Sequence, residues 1–183
     1  MKKKHIISIL VLALVVGVLW VLKNQDRSHN LEVAADFFQV RDTHEIDKIF
    51  VTDLNKVSIT LERKNFYWMG NQKFRCDRNS VKNLFEPLTK MRIRAEVSDQ
   101  DKNDIVKELA TKSKKVEIYR NGVLDKTLFI GNATADGLGS YVYADVKGLE
   151  RPYIVHIPGW DGNIGPRFFI NLDAWRSKKV FSH

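Results

Sequence analysis

The chain has 183 residues, 44% of them apolar, and its 30 Lys and Arg against 22 Asp and Glu give a net charge of +8 at pH 7. Lys2, Lys3, Lys4 and Lys23 flank a single apolar run; the remaining 26 basic residues are interspersed with the 22 acidic ones. That pattern lacks the basic stripe of a nucleic-acid footprint, and the lone Cys76 excludes an intrachain disulfide.

The apolar run is Ile6 to Leu22, interrupted only by Ser8. About 17 residues at ~1.5 Å each make a helix of roughly 25 Å, near the minimum for crossing a bilayer's hydrocarbon core. Val, Leu and Ile on every side leave it no polar face to turn to water. Trp20 lies toward its far end, where indole rings prefer the headgroup region. Three lysines and the terminal amine precede the run, against Lys23 and Arg27 soon after it. The N-terminus is therefore expected in the cytoplasm and the rest of the chain across the membrane. No small-x-small cleavage site closes the run, so an uncleaved anchor over 1–23 is favoured over a cleaved secretory signal. Residues 24–45 are polar and mixed as far as Phe37, Phe38 and Val40. They read as a tether that becomes ordered near the two phenylalanines.

Residues 46–183 read as a folded α+β domain of mostly antiparallel sheet with two helices, with a division into 46–98 and 99–183 left open. Ile46 to Asp53 predicts a strand ending in a turn at Asp53-Leu54-Asn55. Val57, Ile59 and Leu61 then alternate with Ser58, Thr60 and Glu62, a strand with one face buried. Lys64-Asn65 turns the chain into a third strand, Phe66 to Met69, which completes an antiparallel meander. Val81, Leu84, Phe85, Leu88 and Met91 share one face of a helix capped by Asp77 or Asn79, with Pro87 expected to kink it. Ile93, Ala95 and Val97 alternate as a strand. A second helix starts at Ser98 or Asp99, with Ile105, Val106 and Leu109 facing inward; its acidic start and lysine-rich end suit the helix dipole.

Val116 to Tyr119 and Leu124 to Ile130 flank Asn121-Gly122, a strong hairpin signal because both turn residues need positive φ. Gly131 to Ser140 reads as a small-residue loop. Tyr141 to Ala144 and Tyr153 to Ile157 read as two more strands, the second stopped by Pro158-Gly159. From Trp160 the chain is aromatic and irregular, and Trp175 to Phe181 is expected to pack back on the domain, since exposed apolar termini are otherwise poorly ordered.

The five histidines, His5, His29, His44, His156 and His183, include no pair with ligand spacing on one element, so no metal site is expected. Phosphate loops, nucleophile elbows and dinucleotide fingerprints are missing, and nothing calls for a cofactor. One catalytic pairing is conceivable if the fold converges it: His156 with Asp136 or Asp161. The blander reading makes His156 a strand residue and the aspartates turn residues. Tyr141, Tyr143, Tyr153, Trp160 and Phe168 are candidates for a partner surface, against the ordinary alternative of core filler.

Asp42-Thr43 with Ile46-Asp47-Lys48-Ile49-Phe50, then Val57-x-Ile59-x-Leu61-Glu62-Arg63 and Trp68, form a recognisable opening. Lys115-Val116-Glu117-Ile118-Tyr119, Tyr153-x-Val155-His156-Ile157-Pro158-Gly159 and Pro166-Arg167-Phe168-Phe169 with Trp175-Arg176 extend it. Over residues 40–181 the chain resembles domain-of-unknown-function family 4340, membrane-anchored periplasmic proteins frequent in Bacteroidota. That resemblance carries over no catalytic residue. Longer members continue past the Trp-Arg segment into further strands. Related domains occur beside auxiliary subunits of ABC transporters linked to gliding motility, which implies an envelope protein partner. The leading reading is a single-pass accessory or interaction subunit of the bacterial inner membrane, held in the lipid bilayer through Ile6–Leu22 with its domain in the periplasm. The runner-up is an envelope-acting enzyme using His156.

Overall fold

In the long strands, apolar residues recur at every second position, and that parity decides which side of a sheet meets the core. A computed structural model describes residues 12–19, 34–35, 37–146 and 149–177. Residues 12–19 are helical (α1). There follow β1 (Ile46–Thr52), β2 (Ser58–Lys64), β3 (Tyr67–Gly70), β4 (Phe74–Arg75), α2 (Arg78–Lys90), β5 (Arg92–Glu96) and α3 (Lys102–Lys112). The second half contributes β6 (Lys114–Arg120), β7 (Val123–Ala133), β8 (Ser140–Ala144), β9 (Tyr153–His156), a 3-10 turn at Gly165–Arg167 and α4 (Leu172–Trp175). The protein is α+β, and the nine strands among the described residues form one sheet ordered β4-β3-β2-β1-β6-β7-β8-β9-β5. Every neighbouring pair is antiparallel. β5, from the first half of the chain, closes the far edge beside β9, so both halves share the sheet.

One face of the sheet carries Ile49 and Val51, Ile59 and Leu61, Val116 and Ile118, Leu128 and Ile130, Val142 and Ala144, and Tyr153 and Val155, all buried. They form a single cluster with Leu84 and Leu88 of α2, Met91, Ile164, Phe168 and Trp175. The alternate residues, among them Lys48, Glu117, Phe129, Tyr141, Tyr143 and His156, point to the other face and are only half-buried. That second face is partly roofed by α3, which touches β7 and β8. The approach is close: a Cβ on Gly131 of β7 would lie 2.6 Å from Leu109 Cδ2 and 3.1 Å from the Tyr141 carbonyl oxygen.

α2 begins at Asp77, whose carboxylate accepts from the Asn79 and Ser80 amides at 2.9 and 3.0 Å and so satisfies two orphan donors. The helix continues three residues past Pro87, which is buried in its last turn. The hairpin between β6 and β7 has φ of 50° at Asn121 and 78° at Gly122, as its sequence requires.

Several expectations shift. Val57 lies in the β1–β2 turn, where its amide donates to Asp53 Oδ1 at 3.0 Å and its side chain is exposed. Phe66 belongs to the β2–β3 turn rather than the strand, because Lys64 pairs directly with Tyr67. The short β4 was not expected. β5 carries a register shift between Ile93 and Ala95, which leaves Ala95 exposed instead of buried. β7 runs three residues into the expected glycine loop. α4 adds a third, one-turn helix to the two expected in the domain.

At the N-terminal side, Ala34, Phe38 and Val40 are buried, so the expected tether is docked from residue 34 onward. Among the described residues no helix is long and apolar enough to cross a membrane. Most of the expected span Ile6–Leu22, and Val180 and Phe181 of the expected C-terminal docking segment, lie outside the described residues.

Candidate functional site

An apolar concavity lies between α3 and the sheet's second face. Phe129 of β7 and Tyr143 of β8 sit opposite one another in register, with ring centroids 6.0 Å apart. Their parity points them away from the core, so they form the floor of a cleft of about 400 Å³. Val106, Leu109 and Ala110 of α3 make one wall, and Lys102, Asn103 and Glu150 stand around it. Val106 was expected to face inward with Ile105 and Leu109; it is exposed instead, at the lip of this cleft. The cleft can enclose an apolar side chain or ring, a size typical of small-ligand and anchor-residue pockets.

The five candidate aromatic residues separate by parity. Tyr153 and Phe168 are fully buried in the core, so they are structural and cannot belong to a partner surface. Tyr141 and Tyr143 are half-buried on the α3 side of the sheet. Burial pushes the Tyr141 phenol up, helped by the carboxylates of Glu108, Asp101 and Asp136. Trp160 is half-buried, with the Arg167 guanidinium 5.4 Å over its ring.

His156 sits at the end of β9 opposite Arg92 of β5. Among the described residues, no hydrogen bond or ion pair joins it to Asp136 or Asp161. Asp136 is engaged elsewhere. Its carboxylate accepts from the Thr134 hydroxyl at 2.5 Å and the Leu138 amide at 3.0 Å, and pairs with Arg94 at 2.8 Å. Those three donors hold the carboxyl down to about 2. This is the chemistry of a carboxylate that locks a turn to the neighbouring edge strand. Asp161 is exposed in the segment after Trp160.

A second, polar concavity of about 490 Å³ is lined by Asp77, Ser80, Asp173, Ala174 and Arg176, where the C-terminal segment meets the start of α2. The joint is made by backbone: the Asp77 amide donates to the Trp175 carbonyl at 2.7 Å and the Ser177 amide to the Arg75 carbonyl at 3.1 Å. Cys76, beside it, is buried, and burial with the Asp77 charge pushes its thiol up to about 12. Among the described residues no group of three or more His, Cys, Asp or Glu could hold a metal ion. Neither a family model, nor a curated protein, nor a solved structure matches this chain.

Proposed function

We propose that this protein is a membrane-anchored accessory or interaction subunit of an envelope complex, with its α+β domain on the periplasmic side. The observation that carries the reading is α1: Leu12, Leu14, Val15, Val16, Val18 and Leu19 surround this helix, and all are exposed. An apolar surface on every side of a helix, exposed among the described residues, supports a lipid surrounding. The lysines ahead of it set the orientation. The cleft beneath α3 is where such a subunit would receive an apolar anchor residue of its partner, since interfaces concentrate their binding energy in such pockets. The relation to gliding-linked ABC transporters rests on the resemblance alone.

A periplasm-only enzymatic reporter fused after His183 should be active in a Gram-negative host, and inactivity would sink the orientation. Crosslinking the full chain in its native membrane should capture a stoichiometric partner that Tyr143→Ala or Val106→Asp releases. Retention by both variants would exclude the cleft as the contact. An enzyme acting through His156 is the weaker reading, since neither aspartate partners it.

A further inference from the structure

We propose that Lys126 clamps residues 34–40 onto the core face of the domain and so fixes how far the domain stands from the bilayer. The height rests on the anchored reading; the clamp stands without it.

Lys126 is out of place for its position in the strand. On β7, Leu128 and Ile130 face the core, and Lys126 shares their parity, opposite Ile118 of β6. It is only 8% exposed. A charge taken out of water needs acceptors, and residues 37–39 supply two of them. The ammonium donates to the Phe37 carbonyl and, at 3.3 Å, to the Gln39 carbonyl, and it lies 4.9 Å over the Phe37 ring. An apolar side chain would fill this core position at lower cost, because buried charges seldom stabilise a core. What the ammonium adds is a fixed place for one particular stretch of main chain.

The clamp has a second jaw on α2. The Val40 amide donates to the Leu88 carbonyl at 2.8 Å, and Gln39 Nε2 to the Thr89 carbonyl at 3.1 Å. Ala34, Phe38 and Val40 are buried, and the Phe38 ring meets Tyr153 edge-on at 5.4 Å. Residues 34–40 thus bridge the last turn of α2 to β7 and β9, on the face of the sheet opposite the cleft under α3.

The consequence is a shorter tether. The apolar run ends at Leu22 and β1 opens at Ile46. Holding the chain at Ala34 takes half of those residue steps out of play. Fully stretched, the free part reaches about 40 Å instead of about 80 Å. As a flexible chain, whose mean span grows with the square root of its length, it is about 1.4-fold shorter. The cleft is held that much nearer the membrane.

The test compares the full chain with Lys126→Met, which keeps the apolar stem and loses the donor, the unsubstituted chain measuring background labelling of buried Cys76. A spin-label pair on A35C and K90C in detergent micelles reads docking without a bilayer. Its distance distribution should be narrow with Lys126 and broad with Lys126→Met, while far-UV circular dichroism stays native. A distribution equally narrow in both, or broad in both, would overturn the clamp. In phosphatidylcholine–phosphatidylglycerol nanodiscs, energy transfer from a donor on V123C to acceptor headgroups should report a mean separation about 1.4-fold larger for Lys126→Met. Spacers keep the question open to test if Lys126→Met does not fold. Twelve Gly and Ser residues inserted after Asn30 should raise the separation by about the same factor. Inserted between the exposed Arg41 and Asp42 they should not, since a surface loop takes them up. An equal rise from both spacers would overturn the clamp. A docked segment in micelles, with no response to the spacer after Asn30, would defeat the anchored reading and leave the clamp standing.

Discussion

Replacing Trp175 with Ala asks how far the C-terminal segment belongs to the domain's core. The indole is fully buried, donates from Nε1 to the Phe169 carbonyl at 2.9 Å, and stacks on the Phe169 ring at 4.3 Å between centroids. Truncating a core Trp to Ala costs about 3–5 kcal/mol through lost transfer energy and the cavity left behind. With a urea dependence of about 2 kcal/mol/M for a domain of this size, the unfolding midpoint should fall by about 2 M. Trp175→Phe separates the parts, because it retains most of the burial and the stacked ring but loses the N–H donor. Its cost should be about 1 kcal/mol, or a midpoint shift of about 0.5 M. The assay is urea unfolding of the full chain in detergent micelles, followed by far-UV circular dichroism so that the lost indole does not distort the signal. Deleting residues 175–183 should cost no less than Trp175→Ala, since it also removes the Asp77–Trp175 and Ser177–Arg75 backbone bonds. If Trp175→Ala unfolds within 0.5 M of the wild type, about 1 kcal/mol, the segment is an ornament and the reasoning fails.

Gly131→Ala should destabilise by about 1–3 kcal/mol, because its Cβ would meet Leu109 Cδ2 at 2.6 Å. Adding Leu109→Ala should recover part of that loss, and strictly additive costs would show that α3 does not press on this glycine. Asp136 has a folded-state value below its unfolded one, so its contribution is present above about 4 and lost as pH falls toward about 2. The difference in melting temperature between wild type and Asp136→Asn should therefore close over that window; a difference unchanged at pH 2 would remove the carboxylate from the turn. Cys76 should resist iodoacetamide in the folded protein and react only as the domain unfolds, given its burial and a thiol pushed up to about 12. Labelling at the rate of a free thiol would contradict the packing around it.

Elements whose signal is local were legible in the sequence. Asn121-Gly122 needs only its own two positive φ values, and Asp77 needs only the amides two and three residues on. What escaped depends on partners distant in the chain. β4 is two residues long, too short for any periodicity, and exists because Phe74 and Arg75 pair with Gly70 and Met69. Ile93, Ala95 and Val97 alternate as a strand in the sequence, yet β5 must follow β9 around a bulge. Its register is fixed by a strand sixty residues away in the chain, and no reading of the local segment could supply that.

The same physics decides which of the candidate aromatic residues are buried in the core. Tyr141-Val142-Tyr143-Ala144 and Tyr153-Ile154-Val155-His156 look alike as aromatic, alternating strands, and nothing local says which parity is inward. Pairing decides it: Val142 stands opposite Tyr153, and Ser140 opposite Val155, so Tyr153 inherits the inward face and Tyr141 and Tyr143 the outward one. Phe129 then joins Tyr143 by the β7–β8 register, and α3 arrives over Gly131 to wall the pair in. A cleft built this way is a property of three strands and a helix at once. Its residues carry no motif, since enclosing an apolar side chain asks of them size and direction rather than reactivity. The single-sequence signal available was the placement of Phe129 and Tyr143 on the parity opposite to Leu128, Ile130, Val142 and Ala144, and that signal acquires meaning only once the sheet is assembled.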